Sequence, residues 1–261
     1  MKKTVAVLAV ALVAFFTTGC FQIEQSIELK KDLSGTADFH LGVDFEPMVY
    51  VMAQFAREME GKKGPPSEAE LAKAKAEFKK SSKKSSGSGD MPTKAEIQKD
   101  LPPGVKILDF KAEEKDFGVS TNFKFGFDRI NRLVDVKLPS KGAEQDPTKK
   151  NVIDTPFEGL EVIEKGDTIT IQTKPQNPTE SVKEQAAEAP KLDKDTEEMV
   201  KKAFGKMRVA YKITAPFTVV SHNATRKEGN TLIWEYDMKR FEQIAASKKP
   251  EDFAVRVTYR R

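Results

Sequence analysis

Gly118-Val119-Ser120-Thr121-Asn122-Phe123-Lys124-Phe125-Gly126-Phe127 is the stretch on which the fold turns. Val119, Thr121, Phe123, Phe125 and Phe127 share one parity, and Ser120, Asn122 and Lys124 hold the other. This period-two alternation describes a strand with one face in a core and one in water. Sheets wetted on one side are usually antiparallel, so the segment predicts antiparallel neighbours.

Working outward, the same alternation recurs. Residues 105–107 and 108–110 read as short strands just before it. Phe21, Ile23, Ile27 and Leu29 mark a strand over 21–30. Lys31-Asp32-Leu33-Ser34-Gly35 is a turn, and Ala37, Phe39, Leu41 and Val43 complete an antiparallel hairpin. Further on, 160–164 and 168–173 flank Lys165-Gly166-Asp167 as a second hairpin. The last third is strand-rich, with strands over 207–214, 217–221, 231–236 and 253–259, a turn at Glu228-Gly229-Asn230, and a helix near 239–246. Residues 128–133 suit a short helix, and 195–204 another, closed by Gly205.

Helical signals cluster between the first hairpin and the Phe-rich strand. Asp44 is a candidate N-cap with Pro47 in the first turn. Phe45, Met48, Val49, Met52, Phe55, Ala56 and Met59 then follow helical spacing along one apolar face. Ser67 with Glu70 and Thr93 with Glu96 are capping-box pairs for a helix to about Lys80 and a short helix ended by Pro102-Pro103. About nine strands and three or four helices in separate runs predict an α+β fold: a curved, mostly antiparallel sheet with packing helices. Residues 20–261 form a single domain in this reading, with long flexible insertions near 61–92, including the Ser/Lys tract 81–89, and near 175–195.

The chain's one cysteine, Cys20, closes a positive n-region (Lys2, Lys3) and an apolar run over 5–16. That run is too short to span a bilayer. Thr17-Thr18-Gly19-Cys20 resembles the lipobox of bacterial lipoproteins, although Thr17 stands where Leu is usual. The resemblance implies a signal peptide over 1–19, cleavage after Gly19, and a diacylglycerol on Cys20. Several acyl chains on one residue give stable anchoring where a single chain does not. Phe21 follows the cysteine in place of the Asp that retains enteric lipoproteins in the inner membrane, which favours the outer membrane. With the first strand starting at once, the domain sits close to the bilayer.

Composition narrows the chemistry. The 261 residues carry 44 Lys and Arg against 40 Asp and Glu, and no aromatic-interleaved basic patch points to nucleic acid. The two histidines, His40 and His222, lie in different segments and lack the clustering of a metal site. Gly87-Ser88-Gly89 sits in a Ser/Lys linker with no strand before it, so no phosphate loop and no cofactor is indicated. Ser221-His222 with a distant Asp is the one triad the sequence allows, and an exposed turn histidine is the plainer reading.

Two readings of the Met/Phe face stay open. The helix packs on the Phe-rich strand as core, or it forms an adaptable lid over an apolar pocket. Met48, Met52, Phe55, Phe123 and Phe125 are the candidate ligand face in the second case. Residues 211–236 add a resemblance of their own: Ala215-Pro216-Phe217, Ser221-His222-Asn223-Ala224 and Gly229-Asn230-Thr231-Leu232-Ile233-Trp234. A strand after proline, an Asn-containing turn and a second strand ending in Trp are similar to the LppM-like group of uncharacterised bacterial lipoproteins. Glu28-Leu29 through Leu33-Ser34-Gly35 is similar to that group's opening hairpin. The resemblance implies a curved antiparallel sheet with helices and a lipid-binding role at the envelope.

The function expected from these residues is non-enzymatic: a lipid-anchored envelope protein that binds an apolar ligand or an envelope protein. The alternative is a structural or assembly lipoprotein acting through protein or peptidoglycan contacts. A hydrolase centred on His222 is the third class.

Overall fold

The computed structural model describes residues 20–85, 93–138, 156–157, 159–174, 205, 207–247 and 253–261. In chain order the elements are β1 (Cys20–Leu29), β2 (Gly35–Asp44), α1 (Glu46–Met59), α2 (Glu68–Ser85), α3 (Lys94–Asp100), β3 (Val105–Lys115) and β4 (Gly118–Phe127). A 3-10 turn (Ile130–Asp135) follows, then β5 (Leu160–Lys165), β6 (Thr168–Thr173), β7 (Arg208–Thr214), β8 (Thr218–His222), β9 (Arg226–Glu228), β10 (Thr231–Asp237), α4 (Met238–Ser247) and β11 (Arg256–Arg260). The strands form a seven-stranded sheet, β3-β4-β2-β1-β7-β10-β9, and a four-stranded sheet, β5-β6-β11-β8. Every pairing is antiparallel except β1 with β7. The fold is therefore α+β and mostly antiparallel, as the alternation predicted.

Register turns the larger sheet's inner face into rungs. One rung sets Phe110, Phe123, Phe39, Gln25, Tyr211 and Trp234 side by side. The rung below it, away from Cys20, is Ile107, Phe125, Ala37, Ile27, Ile213 and Leu232. The rung above it, toward Cys20, is Ala112, Thr121, Leu41, Ile23, Val209 and Tyr236. Ile169 and Ile171 of β6 with Val257 and Tyr259 of β11 join these side chains in one buried cluster shared by both sheets. Each fully buried aliphatic or aromatic side chain contributes roughly 1.5–3 kcal/mol to that core.

The segment read as two short strands is one, β3. Its register slips between Ile107 and Asp109, leaving Leu108 44% exposed. The extra residue lets Ile107 and Phe110 both face inward, three positions apart. Thr93 and Glu96 close their capping box, and Gln98 of α3 bonds the backbone of Val105 and Ile107 along β3's outer edge. That cover blunts an edge otherwise open to pairing.

Between β7 and β9 the chain crosses to the smaller sheet and back. It leaves β7 through Ala215-Pro216-Phe217 for β8, and returns through Asn223-Ala224 toward β9 and β10. Asn223 holds the return corner: its Oδ1 accepts from Trp234 Nε1 at 2.7 Å and from the Arg256 backbone N–H at 2.8 Å, and its Nδ2 donates to the Ala254 carbonyl at 2.7 Å. One short side chain thus ties β8, β10 and β11 together.

Tyr259 is wholly buried, and its hydroxyl finds no hydrogen-bond partner among the described residues. Burial pushes its pKa up from the ordinary tyrosine value. A desolvated, unpartnered hydroxyl costs stability, so Tyr259→Phe is expected to stabilise the protein by about 1–2 kcal/mol. A urea midpoint at or below that of the parent would contradict this.

Helices α1 and α2 pack on each other as a hairpin outside the main cluster. Asp44 Oδ1 accepts from the Glu46 N–H at 2.9 Å, while Phe45 occupies the cap position itself. The buried residues of α1 are Met48, Val49, Val51, Ala53 and Gln54, which encircle the helix instead of forming the single stripe predicted. Met59 is 62% exposed. The wrap-around burial explains the difference, since a helix covered on several sides need not confine its apolar residues to one seam. Helix α2 starts at the predicted Ser67–Glu70 box and runs past Lys80 to Ser85.

Arg57 Nη1 also donates to both Glu70 carboxylate oxygens, at 2.9 and 2.7 Å. The Ser67 N–H and hydroxyl, then Arg57, hold the Glu70 carboxyl at about 2. Because the folded pKa lies below the unfolded one, its contribution is complete above about pH 4.5 and fades as pH falls toward 2. Amide exchange in α1 and α2 should therefore accelerate across that window, and Glu70→Gln should flatten the dependence. Equal acid sensitivity in the variant would assign it to other groups.

Candidate functional site

The end of the larger sheet where Cys20 lies is built by register. Cys20 pairs with Asp44, and Asp44 with Gly118, so the first residue of β1, the root of α1 and the β3–β4 turn stand at one level. The Phe45 N–H donates to the Phe117 carbonyl, and Phe78 of α2 lies between the Phe45 and Phe117 rings at 5.7 and 6.2 Å. Lys75 and Lys79 lie over the Phe117 ring at 5.5 and 4.8 Å. The helical hairpin is thereby fixed to the same end of the sheet as Cys20.

The smaller sheet covers the opposite end. Phe157 meets Phe125 edge-on, Ile130 bonds the carbonyl of Leu33, and Arg129 reaches Glu164 at the end of β5. Toward Cys20 the inner face loosens: Ile23, Val43, Val119, Thr121, Gln25 and Tyr211 are only half-buried. The floor there is apolar, and its polar exceptions are specific. Gln25 Nε2 donates to the Pro156 carbonyl, and Thr121 Oγ1 is buried without a partner. Tyr211 stacks edge-on against Tyr236, and burial raises its hydroxyl pKa.

The outer face of the same sheet is charged. Glu24 bridges Lys212 at 2.6 Å and Arg208 at 3.6 Å, and Glu235 bridges Arg208 at 2.5 Å and Arg226 at 3.3 Å. Arg208, first among several cations, holds the Glu235 carboxyl below its ordinary range. A cleft of about 580 Å³ beside this chain is lined by Arg208, Glu235, Asp237, Lys239, Arg240 and Gln243, with Gly205 and Met207. Two of its charged walls are already engaged, because Arg208 is ion-paired and Asp237 Oδ1 caps α4 through the Arg240 N–H.

Cys20 opens β1, and Gly19 lies outside the described residues. Phe123 and Phe125 belong to the buried core, at 4% and 0% exposure. Met48 is buried within α1, and Met52 and Phe55 are half-buried there. None of these three joins the cluster that holds Phe123 and Phe125, so the structure does not bring the two halves of the sequence-derived ligand face together. The residues that sequence reasoning passed over are Gln25, Thr121 and Tyr211. Their signal was available as polar side chains at inward parity in apolar strands.

His40 stands on the outer face between Glu24 and Asn122. His222 Nδ1 accepts from the Ala224 N–H at 3.1 Å. Among the described residues no group of three His, Cys, Asp or Glu is placed to hold a metal ion, and no helix is long and apolar enough to cross a membrane.

Fold and site together define an α+β protein whose larger sheet carries half-buried apolar residues, Ile23, Val43 and Val119, toward Cys20. No protein-family model matches the sequence, and no curated protein matches it. Among solved structures, the folded domain of LppM from Mycobacterium tuberculosis is similar, with a TM-score of 0.40 and 10% identity over 93% of this chain and 89% of that one.

Proposed function

We propose that this chain is a lipid-anchored protein of the bacterial cell envelope, on the outer membrane, that acts by binding an apolar ligand and not by catalysis. The observation that carries the ligand is a group of apolar residues left half-buried on the larger sheet. Ile23, Val43 and Val119 stay half-buried at the end where Cys20 begins β1. A lipobox-type cysteine at the first residue of a strand supports a short tether, with that end held toward the bilayer. Docking to an envelope protein is the second reading, favoured by Ile163 and Val220, 48% and 49% exposed on the smaller sheet.

The anchor and the ligand are tested separately. The parent chain should partition into the detergent phase and Cys20→Ser into the aqueous phase; unchanged partitioning would remove the anchor. Native mass spectrometry of the Cys20→Ser form should show a lipid-sized mass on the folded protein. A clean apo mass would move the function to protein contacts.

A further inference from the structure

We infer that the ligand bound at the Cys20 end of the larger sheet is an uncharged lipid bearing a hydroxyl or similar neutral hydrogen-bonding group, not a fatty acid or an anionic phospholipid. The inference rests on the apolar-ligand reading above and specifies its chemistry. Gln25 and Tyr211 are paired neighbours across β1 and β7, on the inner face. Gln25 spends its amide N–H on the Pro156 carbonyl, and its Oε1 accepts no hydrogen bond among the described residues. Tyr211 is half-buried beside it, and its hydroxyl makes no hydrogen bond among the described residues. An acceptor and a donor side by side match a group that both gives and takes one proton, as an alcohol does.

The half-buried members of this rung and the one above it are Phe110, Gln25, Tyr211, Ala112, Thr121 and Ile23. No residue among them is charged. Lys212 and Arg208 lie on the opposite face, engaged by Glu24 and Glu235. A carboxylate or phosphate brought onto these rungs would lose its hydration with no cation to replace it, a cost that drives such a group to neutralise or stay out.

The test compares a pyrene-tagged fatty alcohol with the matching pyrene-tagged fatty acid, on the Cys20→Ser full chain and on Cys20→Ser/Tyr211→Phe. Near pH 8 the alcohol should bind about 100-fold more tightly than the acid, with the gap closing as pH drops toward the carboxyl pKa. Tyr211→Phe should weaken the alcohol about tenfold without lowering the urea midpoint, since that hydroxyl has no protein partner to lose among the described residues. Equal affinity for both probes, or an unchanged alcohol affinity in the variant, would overturn the neutral-lipid inference and leave the apolar-ligand reading standing. Binding of neither probe would overturn that reading, and the inference with it.

Discussion

Asn223→Ala is expected to lower the stability of the protein by roughly 3–5 kcal/mol, seen as a large drop in the urea midpoint. The substitution removes three hydrogen bonds at once and leaves Trp234 Nε1, the Arg256 N–H and the Ala254 carbonyl without their protein partner. Trp234 is 1% exposed, so its indole N–H has little water to turn to. Asn223→Asp keeps both acceptor contacts and loses only the donor to Ala254, so it should fall between parent and alanine. A loss below about 1 kcal/mol for Asn223→Ala would show that the corner is held by the strands themselves and not by this side chain.

Phe125→Ala is the second large effect, with an expected cost of about 3–5 kcal/mol. Phe125 is fully buried, parallel to Phe123 at 6.1 Å between ring centroids and edge-on to Phe157 at 6.1 Å. It stands where the larger sheet meets the segment leading into the smaller one, so the cavity left behind would lie between two rigid layers that collapse poorly. The experiment also separates the two roles the sequence left open for this residue. A core residue loses stability, whereas a ligand contact loses affinity for the alcohol probe with the midpoint preserved.

The strands were legible because one face of each is wet. Phe123, Phe125 and Phe127 announce β4 through alternation alone, and Ala37, Phe39 and Leu41 do the same for β2. The parallel pairing of β1 with β7 was not legible. Parallel strands usually read as continuous apolar runs, yet β1 carries Gln22, Glu24, Ser26 and Glu28 on an open face, where Glu24 meets Lys212. Nor was β9: Arg226, Lys227 and Glu228 have no apolar alternation, and they are held by backbone pairing to β10 and by the Arg226–Glu235 ion pair. The bulge at Leu108 broke one strand into two because a single extra residue shifts every later side chain to the opposite parity.

For the site, the lipobox-type resemblance at Cys20 was legible from local order, since that motif is contiguous. The ligand face was not, because it depends on which elements meet. Helical spacing correctly placed Met48, Met52 and Phe55 on one helix but could not say that this helix packs with α2, away from Phe123. Asn223 and Trp234 were noticed as neighbours in a recurring pattern, and only the sheet-switching corner shows that one accepts a hydrogen bond from the other.

The position of β1 inside its sheet bears on how the chain is made. Glu24 and its partner Lys212 are 188 residues apart, so one edge of β1 has to wait for most of the polypeptide to arrive. During synthesis, β1, β2 and β4 can assemble early, while the flank of β1 meant for β7 stays unsatisfied until that strand arrives. Such high contact order makes completion slow and leaves a sticky ribbon in the interval. The charges along the exposed side of β1 then serve newborn chains too, keeping neighbouring unfinished ribbons from joining one another before Arg208–Thr214 closes the gap.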